Sequence, residues 1–166
     1  MLSYMNRIQA ISIMNGYGRL ITLAKMEVTI PTDLIRKLEK MGSQGEEIGK
    51  KMLNAGARIL RAKVDSNLKK ILYTNRGFDK SYPTGALERS ITIDKPKRSK
   101  NGNLYVRIYF KGKDSKGVSN GLKAAILEHG KSDQPKRPFV RPAVEQTEDK
   151  INKEMQRIFD FEISKL

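Results

Sequence analysis

Apolar side chains recur at steps of three and four residues through much of the first half of the chain, and this spacing predicts helices. The first periodic stretch predicts a short helix over Asp33–Lys40. The glycine-containing segment 42–45 then interrupts the pattern, and Ser43 with Glu46 fits a capping box that restarts it. A second, long helix is therefore predicted over Gln44–Leu72, with its apolar stripe serving as a packing face.

The pattern changes to a period of two in the middle of the chain. Leu104–Phe110 alternates aliphatic or phenylalanine side chains with tyrosine and arginine, which predicts a strand with one buried and one exposed face. The Asn101-Gly102 pair before it is a hairpin signal, so a partner strand is predicted over Ser90–Asp94. Leu122–Glu128 fits either a helix or a strand, and its alanines and leucines favour a helix.

A last amphipathic helix is predicted after Pro142, which suits the first turn of a helix. The segment before it is rigid, because prolines at 138 and 142 fix their own φ angles and hold the preceding residues extended. Such a segment can present Phe139 either to the protein's own core or to a neighbouring protein, and the core is the favoured alternative. The predicted fold is α+β: a long N-terminal helix (kinked or hairpin), a small antiparallel β-sheet, and a C-terminal amphipathic helix packed on the sheet.

The chain divides into two predicted parts, an N-terminal extension at residues 1–26 and a single α+β domain at 27–166. Polar and charged residues interrupt the apolar stretches of the extension, so none approaches the ~20 apolar residues that span a bilayer. No signal-peptide cleavage motif follows it. Two interpretations remain open: an arm that docks on a neighbouring subunit, or a start codon assigned too far upstream, since Met26 reads like a normal start.

The chain has few of the residue types that carry catalysis or bind metals. It contains no cysteine and one histidine, which leaves no thiolate and almost no basis for a zinc site. His129 is the one histidine, and Ser132 nearby lacks the motif of a nucleophilic serine. No glycine-rich phosphate loop is present. We therefore expect no enzyme activity, no metal and no cofactor, with a small enzyme or toxin as a remote alternative.

The net charge of +15 is large for 166 residues and favours contact with polyanions or acidic protein surfaces. Residues 94–116 hold eight basic side chains against two acidic ones, whereas residues 142–166 hold four against six. The candidate basic contacts are Lys95, Lys97, Arg98, Lys100, Lys111, Lys113 and Lys116. They either form a solvated surface or face DNA or a protein partner. Lys111–Gly121, rich in glycine and lysine, is expected to be mobile in an isolated monomer and ordered only in an assembly.

The exposed face predicted for the central strand carries Tyr105, Arg107 and Tyr109. Stacking aromatic rings beside cations are typical of nucleic-acid platforms. The same side chains also suit a helix that packs across the sheet. A basic nucleic-acid-binding module is therefore the alternative function.

Three short segments stand in a characteristic order along the chain. They are Thr84-Gly85-Ala86-Leu87-Glu88-Arg89-Ser90-Ile91, then Glu128-His129-Gly130, then Pro135 to Ala143, which reads PKRPFVRPA. In this order they resemble the small tail-completion, or head–tail joining, proteins of tailed bacteriophages, a family typified by gene product ten of phage HK97. The chain departs from that pattern at His129, where the family has an aromatic residue, and at Lys123-Ala124, where it has Tyr-Ala.

The resemblance implies a structural virion protein that forms a ring at the head–tail interface or the top of the tail. Its expected partners are copies of itself, six if the family is a guide, together with neck, connector and tail-tube or tail-terminator proteins and passing DNA. It would sit at the head–tail junction after assembly in the bacterial cytoplasm, without a membrane or a small-molecule substrate. The motif residues are Thr84, Gly85, Leu87, Glu128, His129, Gly130, Pro138, Phe139, Arg141 and Pro142. An ion pair between Glu128 and Arg141 is a further hypothesis.

Overall fold

The computed structural model describes residues 25–73 and 85–166 in full, and the backbone of 11–14 and 20–23. The elements are β1 (Ile11–Met14), β2 (Leu20–Leu23), β3 (Lys25–Thr29), α1 (Thr32–Glu39), α2 (Gly42–Tyr73), α3 (Ala86–Arg89), β4 (Ile91–Ile93), β5 (Lys97–Arg98), β6 (Leu104–Phe110), α4 (Asn120–His129) and α5 (Val140–Ile163).

The central strand of the main sheet is β6, and all its pairings are antiparallel. Strand β3 pairs along one side of β6, and β4 and β5 share the other side. The Asn-Gly turn before β6 forms, with Gly102 at φ 82°. The strand that it joins to β6 is β5, which the sequence analysis missed, whereas the predicted partner strand, β4, pairs with the far end of β6. The sequence analysis missed β3, although Met26, Val28 and Ile30 are buried and the residues between them are half-buried. This alternation is the strand signal that could have found it.

Helix α2 packs on the sheet, and α5 packs antiparallel along α2. An ion pair of 2.8 Å joins Lys51 to Glu162 at one end, and the Asn67 amide donates to the Phe139 carbonyl at 3.2 Å at the other. Between them, Gly56 lets α5 and the sheet approach α2: a Cβ there would lie 2.8 Å from the Met155 side chain and 3.3 Å from that of Val28. The predicted α+β class is therefore confirmed, with α5 sharing one core with α2 and the sheet.

The break between the first two helices is tighter than the sequence suggested. Helix α2 begins at Gly42, which has a φ of 59°. The predicted capping box is wrong, because the helix begins before Ser43 and the Glu46 carboxylate pairs with Lys50 and Arg98. Gly45 lies directly against the Leu38 carbonyl of α1, where no Cβ would fit. The kink therefore depends on a glycine at 45.

The other predicted elements are confirmed with shifted bounds. The Ser90–Asp94 strand is Ile91–Ile93, the Leu122–Glu128 segment is a helix over Asn120–His129, and the last helix has Pro142 in its first turn. Strand β3 begins before the predicted domain boundary, and the role of residues 1–24 stays a prediction. Strands β1 and β2 form an antiparallel hairpin. Among the described residues, no helix has the length and apolarity needed to cross a membrane.

Candidate functional site

The last turn of α4 places a carboxylate at the start of α5. The Glu128 Oε2 atom accepts hydrogen bonds from the backbone N–H groups of Phe139 and Val140, both at 2.8 Å. Its Oε1 atom accepts a third from the N–H of Arg141 at 3.0 Å. We call these three hydrogen bonds the Glu128 cap. They link two segments that are separate in the sequence.

The Glu128 cap satisfies donors that a helix leaves unpaired in its first turn. A carboxylate is favoured there, because the amide dipoles give the N-terminus of a helix a partial positive charge. Glu128 is only 8% exposed, so little water competes for these bonds. The predicted Glu128–Arg141 ion pair is wrong: Arg141 contributes its backbone N–H, and its guanidinium pairs with Glu145 at 2.9 Å. The Arg141 guanidinium pairs with Glu145 because Glu145 lies one turn further along the exposed side of α5, within ion-pair distance.

The loop between α4 and α5 folds back on the end of α4. Gly130 has a φ of 77°, and a Cβ there would lie 2.9 Å from the backbone of both Gln134 and Lys136. The Arg137 N–H donates to the Leu127 carbonyl at 2.7 Å. Position 130 therefore requires glycine, because the positive φ disfavours other residues and the neighbouring backbone leaves no room for a Cβ. His129, which stands where the resembling proteins have an aromatic residue, is exposed and does not pack in the core.

The ring of Phe139 lies in the protein's own core, as the favoured alternative predicted. Its exposed fraction is 0%, and it meets Phe110 of β6 edge to face with ring centroids 5.9 Å apart. Pro138 beside it is exposed and Pro142 is half-buried. The motif that contains them thus anchors the start of α5 to the sheet.

The first motif also makes contacts within the domain, and it connects α3 to the end of α2. Thr84 lies outside the described residues, whereas Gly85 precedes α3 with a φ of 71° and Leu87 is half-buried. The Ser90 hydroxyl donates to the Leu87 carbonyl at 2.6 Å. The Tyr73 hydroxyl at the end of α2 donates to the buried carboxylate of Glu88 at 2.7 Å, and this bond raises the pKa of Tyr73. Sequence reasoning missed the Tyr73–Glu88 contact, because the two residues are fifteen positions apart.

All seven predicted basic contacts are exposed. They form two groups that the structure keeps apart: residues 95–100 lie at the start of β6, and residues 111–116 follow its end. A seven-residue strand spans about 20 Å, so the groups do not form one patch. Arg98 pairs with Glu46 at 2.7 Å and Lys97 with Asp94 at 3.0 Å.

The segment Lys111–Gly121 contains a hydrogen-bonded turn. The Asp114 carboxylate accepts the N–H groups of Lys116 at 2.9 Å and Val118 at 2.8 Å, and it pairs with Lys123 of α4. Asn120 also ties the turn to the end of β6 by donating to the Lys111 carbonyl at 2.9 Å. One aspartate therefore organises the glycine-rich segment into a turn, and its mobility in the isolated protein stays a prediction.

The strand face proposed as a nucleic-acid platform is not open as predicted. Tyr105 is 9% exposed, and the Arg107 guanidinium lies 4.8 Å from the centre of its ring. The Arg107 Nε atom is 3.5 Å from the Glu27 carboxylate on the neighbouring strand. The Tyr105 ring is buried and Arg107 covers it, so a nucleic-acid base cannot stack on this ring unless Arg107 moves away. Tyr109 on this face is half-buried.

The contacts of the buried motif residues lie within the domain: Glu128 binds the start of α5, Phe139 packs on Phe110 of the sheet, and Glu88 binds Tyr73 at the end of α2. Among the described residues, no group of His, Cys, Asp and Glu side chains is arranged to hold a metal ion.

Residues 32–130 match the family model described as "Bacteriophage HK97-gp10, putative tail-component", and the chain belongs to this family of phage tail components. The suspected resemblance is thereby confirmed. The match includes the first two motifs and ends at Gly130, before the proline-rich motif. No curated protein and no solved structure matches the chain.

Proposed function

We propose that this protein is a structural component of a phage or prophage virion that forms a ring at the head–tail interface or the top of the tail. There it helps to join the DNA-filled head to the tail. The observation that carries the proposal is membership in a family of phage tail components. The proposed role is non-enzymatic and needs no cofactor, small-molecule substrate or membrane.

The internal contacts of the family motifs support a structural role. Glu128 and Phe139 connect α4, α5 and the sheet into one unit, and Glu88 connects α3 to the end of α2. These groups are buried or hydrogen-bonded within the domain, so they stabilise its shape instead of presenting a reactive group. A fixed shape with exposed loops suits a subunit that contacts several neighbours at once.

The proposed partners are copies of the same chain, six in a ring on the analogy of the family, with the neck connector on one side and tail-tube or tail-terminator proteins on the other. The two exposed basic groups lie at opposite ends of β6. They would contact acidic surfaces of these neighbours or DNA passing through the ring. The protein would act at the head–tail junction of the virion after assembly in the bacterial cytoplasm.

Exposed lysines in both basic groups also favour the second candidate, a nucleic-acid-binding module, although the burial of Tyr105 removes its stacking surface. A DNA mobility-shift assay over a range of salt concentrations separates the two. Phosphate-driven binding falls steeply with salt. Tight binding to free DNA in ~0.2 M salt would favour the module.

Electron microscopy of particles made by a phage that lacks this gene tests the proposal. We expect DNA-filled heads and separate tails, because only the joining step is missing. The matched control is the same phage with the gene supplied from a plasmid, which should restore joined particles. Intact, infectious virions without the gene would overturn the proposed function.

A further inference from the structure

Helix α4 carries apolar side chains on two opposite sides. Ala124 and Leu127 belong to the domain core. Leu122 and Ile126 each lie two residues from Ala124, and residues two apart in a helix point to nearly opposite sides. Both are half-buried without packing on that core, and Ala125 beside them is 6% exposed although it is not part of the core either. We call these three residues the outer side of α4, and their burial shows that a further element lies against it.

Strand β2 is the element that fits this position, because it lies against α4. Strand β6 and helix α3 also touch α4, but they do so as parts of the core, with which Phe110 and Leu87 pack. Lys123, between the two sides of α4, pairs with Asp114 of the turn after β6. The outer side of α4 is therefore the side left for β2.

The β1–β2 hairpin has an apolar face of its own. Its register places Ile11 opposite Leu23 and Ile13 opposite Ile21, so these four residues share one face of the hairpin. Within the described part of the chain, β2 pairs with β1 and with no strand of the main sheet. A lone two-stranded hairpin is only marginally stable in water, so this hairpin depends on a surface to pack against.

The connection between the hairpin and the domain is short. Strand β2 ends at Leu23, and β3, which is hydrogen-bonded to β6, begins at Lys25. A short hinge favours exchange of the hinged element between copies, because it restricts how that element can fold back on its own domain. Exchange costs little, since the same contact forms on an identical surface of another copy. The hairpin and the outer side of α4 thus have the properties of an exchangeable pair.

We propose that in the assembled ring the β1–β2 hairpin of one protomer packs on the outer side of α4 of the next protomer. The contact joins two different surfaces, so it is heterologous, repeats from copy to copy and closes into a ring where the rotation allows it. The inference rests on the proposed ring. It gives the N-terminal extension the role of a docking arm, which is one of the two interpretations that its sequence left open.

Complementation between two defective variants tests the exchange. The first variant lacks residues 1–24 and keeps the outer side of α4, whereas the second keeps the hairpin and carries Ile126→Glu, which places a charge on that side. Size-exclusion chromatography with light scattering should show oligomers for the parent and monomers for each variant alone. Mixed together, the variants should form a heterodimer and nothing larger, because the first has no arm to pass on and the second cannot receive one. A monomeric parent, or a mixture without the heterodimer, would overturn the proposal.

Ile163→Glu is the matched control for the charge. Ile163 is 39% exposed in the last turn of α5, whereas α4 is joined to the first turn of that helix by the Glu128 cap. This variant should form oligomers like the parent. If Ile163→Glu abolishes them as Ile126→Glu does, the added charge acts generally and the outer side of α4 is not the docking surface.

A longer hinge gives a second test in a chain that keeps both surfaces. Inserting about four glycine and serine residues after Leu23 lets the hairpin fold back on α4 of its own protomer. Oligomers should therefore give way to monomers, while a single cooperative unfolding transition shows that the domain is folded. Unchanged oligomers would exclude exchange, and this variant decides the question if the chain without residues 1–24 does not fold.

Experiments in the phage separate failure of the contact from failure of the proposed function. When the gene is deleted, a plasmid copy without residues 1–24 should not restore joined particles, whereas a copy carrying Ile163→Glu should. Joined particles with the shortened copy would reject the docking arm and leave the proposed function standing. Joined particles without any copy would reject the proposed function itself.

Discussion

Replacing Glu128 with glutamine tests whether the Glu128 cap holds the two halves of the C-terminal region together. The variant keeps the size of the side chain but exchanges one carboxylate oxygen for an NH2 group. In the native protein Oε2 accepts two N–H donors and Oε1 accepts one. An amide group turned toward these donors leaves at least one of them facing another donor.

The expected loss follows from these contacts. A hydrogen bond to a charged group contributes about 1.5–3 kcal/mol, and loss of a helix cap costs about 0.5–2 kcal/mol. Glutamine retains one acceptor oxygen, and bonds that share a carboxylate are not additive. We therefore expect Glu128→Gln to lower the free energy of unfolding by about 2–3 kcal/mol. Glu128→Ala, which removes every acceptor, should cost at least as much.

Equilibrium urea unfolding measures the effect, with the midpoint falling and the slope unchanged if only the folded state is weakened. Glu145→Gln is the matched control, because Glu145 is exposed at the start of the same helix and pairs with Arg141 four residues away. That pair is of a kind that contributes about 0.3–0.5 kcal/mol. If Glu128→Gln costs no more than the control, the cap does not stabilise the fold and the reasoning is wrong.

Three further variants probe other parts of the domain. Phe139→Ala should lower the free energy of unfolding by about 3–5 kcal/mol, because it empties a buried ring site, and thermal melts with size-exclusion chromatography will separate this loss from loss of assembly. Gly45→Ala should destabilise the protein by roughly 1–3 kcal/mol in urea, because its Cβ would strike the Leu38 carbonyl, although alanine is the better helix former. Asp114→Asn should speed amide exchange in the turn after β6. The hydrogen bond from Lys123 is the main cause that holds the pKa of Asp114 below its ordinary 3.8, and the backbone hydrogen bonds add to it. This carboxylate therefore stabilises the turn at pH values above 3.8, and the stabilisation is lost as the pH falls through the lower pKa of the folded state.

Each of these variants has its own check. A Phe139→Ala protein that melts like the parent would contradict the buried-ring interpretation. Gln44→Ala, at an exposed neighbouring position, should be nearly neutral, and a Gly45→Ala protein as stable as Gln44→Ala would show that the kink tolerates a side chain. For the turn, fast exchange in the parent at neutral pH would support the expectation of a loop that is mobile in the monomer and would contradict the stabilising role of Asp114.

The sequence by itself determined the helices α1, α2, α4 and α5 and the strands β4 and β6, but it missed α3 and the other strands of the described residues. The period of 3.6 in α2 and of 2 in β6 gave both elements with nearly correct bounds, because each element buries one face and must repeat with its own geometry. The Asn-Gly turn and the proline at the start of α5 could also be predicted, because each depends only on the conformation of neighbouring residues. The pattern also indicated the class of protein, through short motifs in a fixed order.

Only the tertiary structure decided what the motif residues do. Glu128 was expected to bind the Arg141 side chain, yet it binds backbone N–H groups from a segment eleven to thirteen residues away, because the return of the chain brings the start of α5 to it. Tyr105 was expected to be exposed, yet the fold buries it under Arg107. Gly45 and Gly56 have low helix propensity, yet they are the places where α1 and α5 approach α2. Side-chain periodicity reports only that a face is buried, whereas the partner of a buried or polar group depends on how distant segments meet.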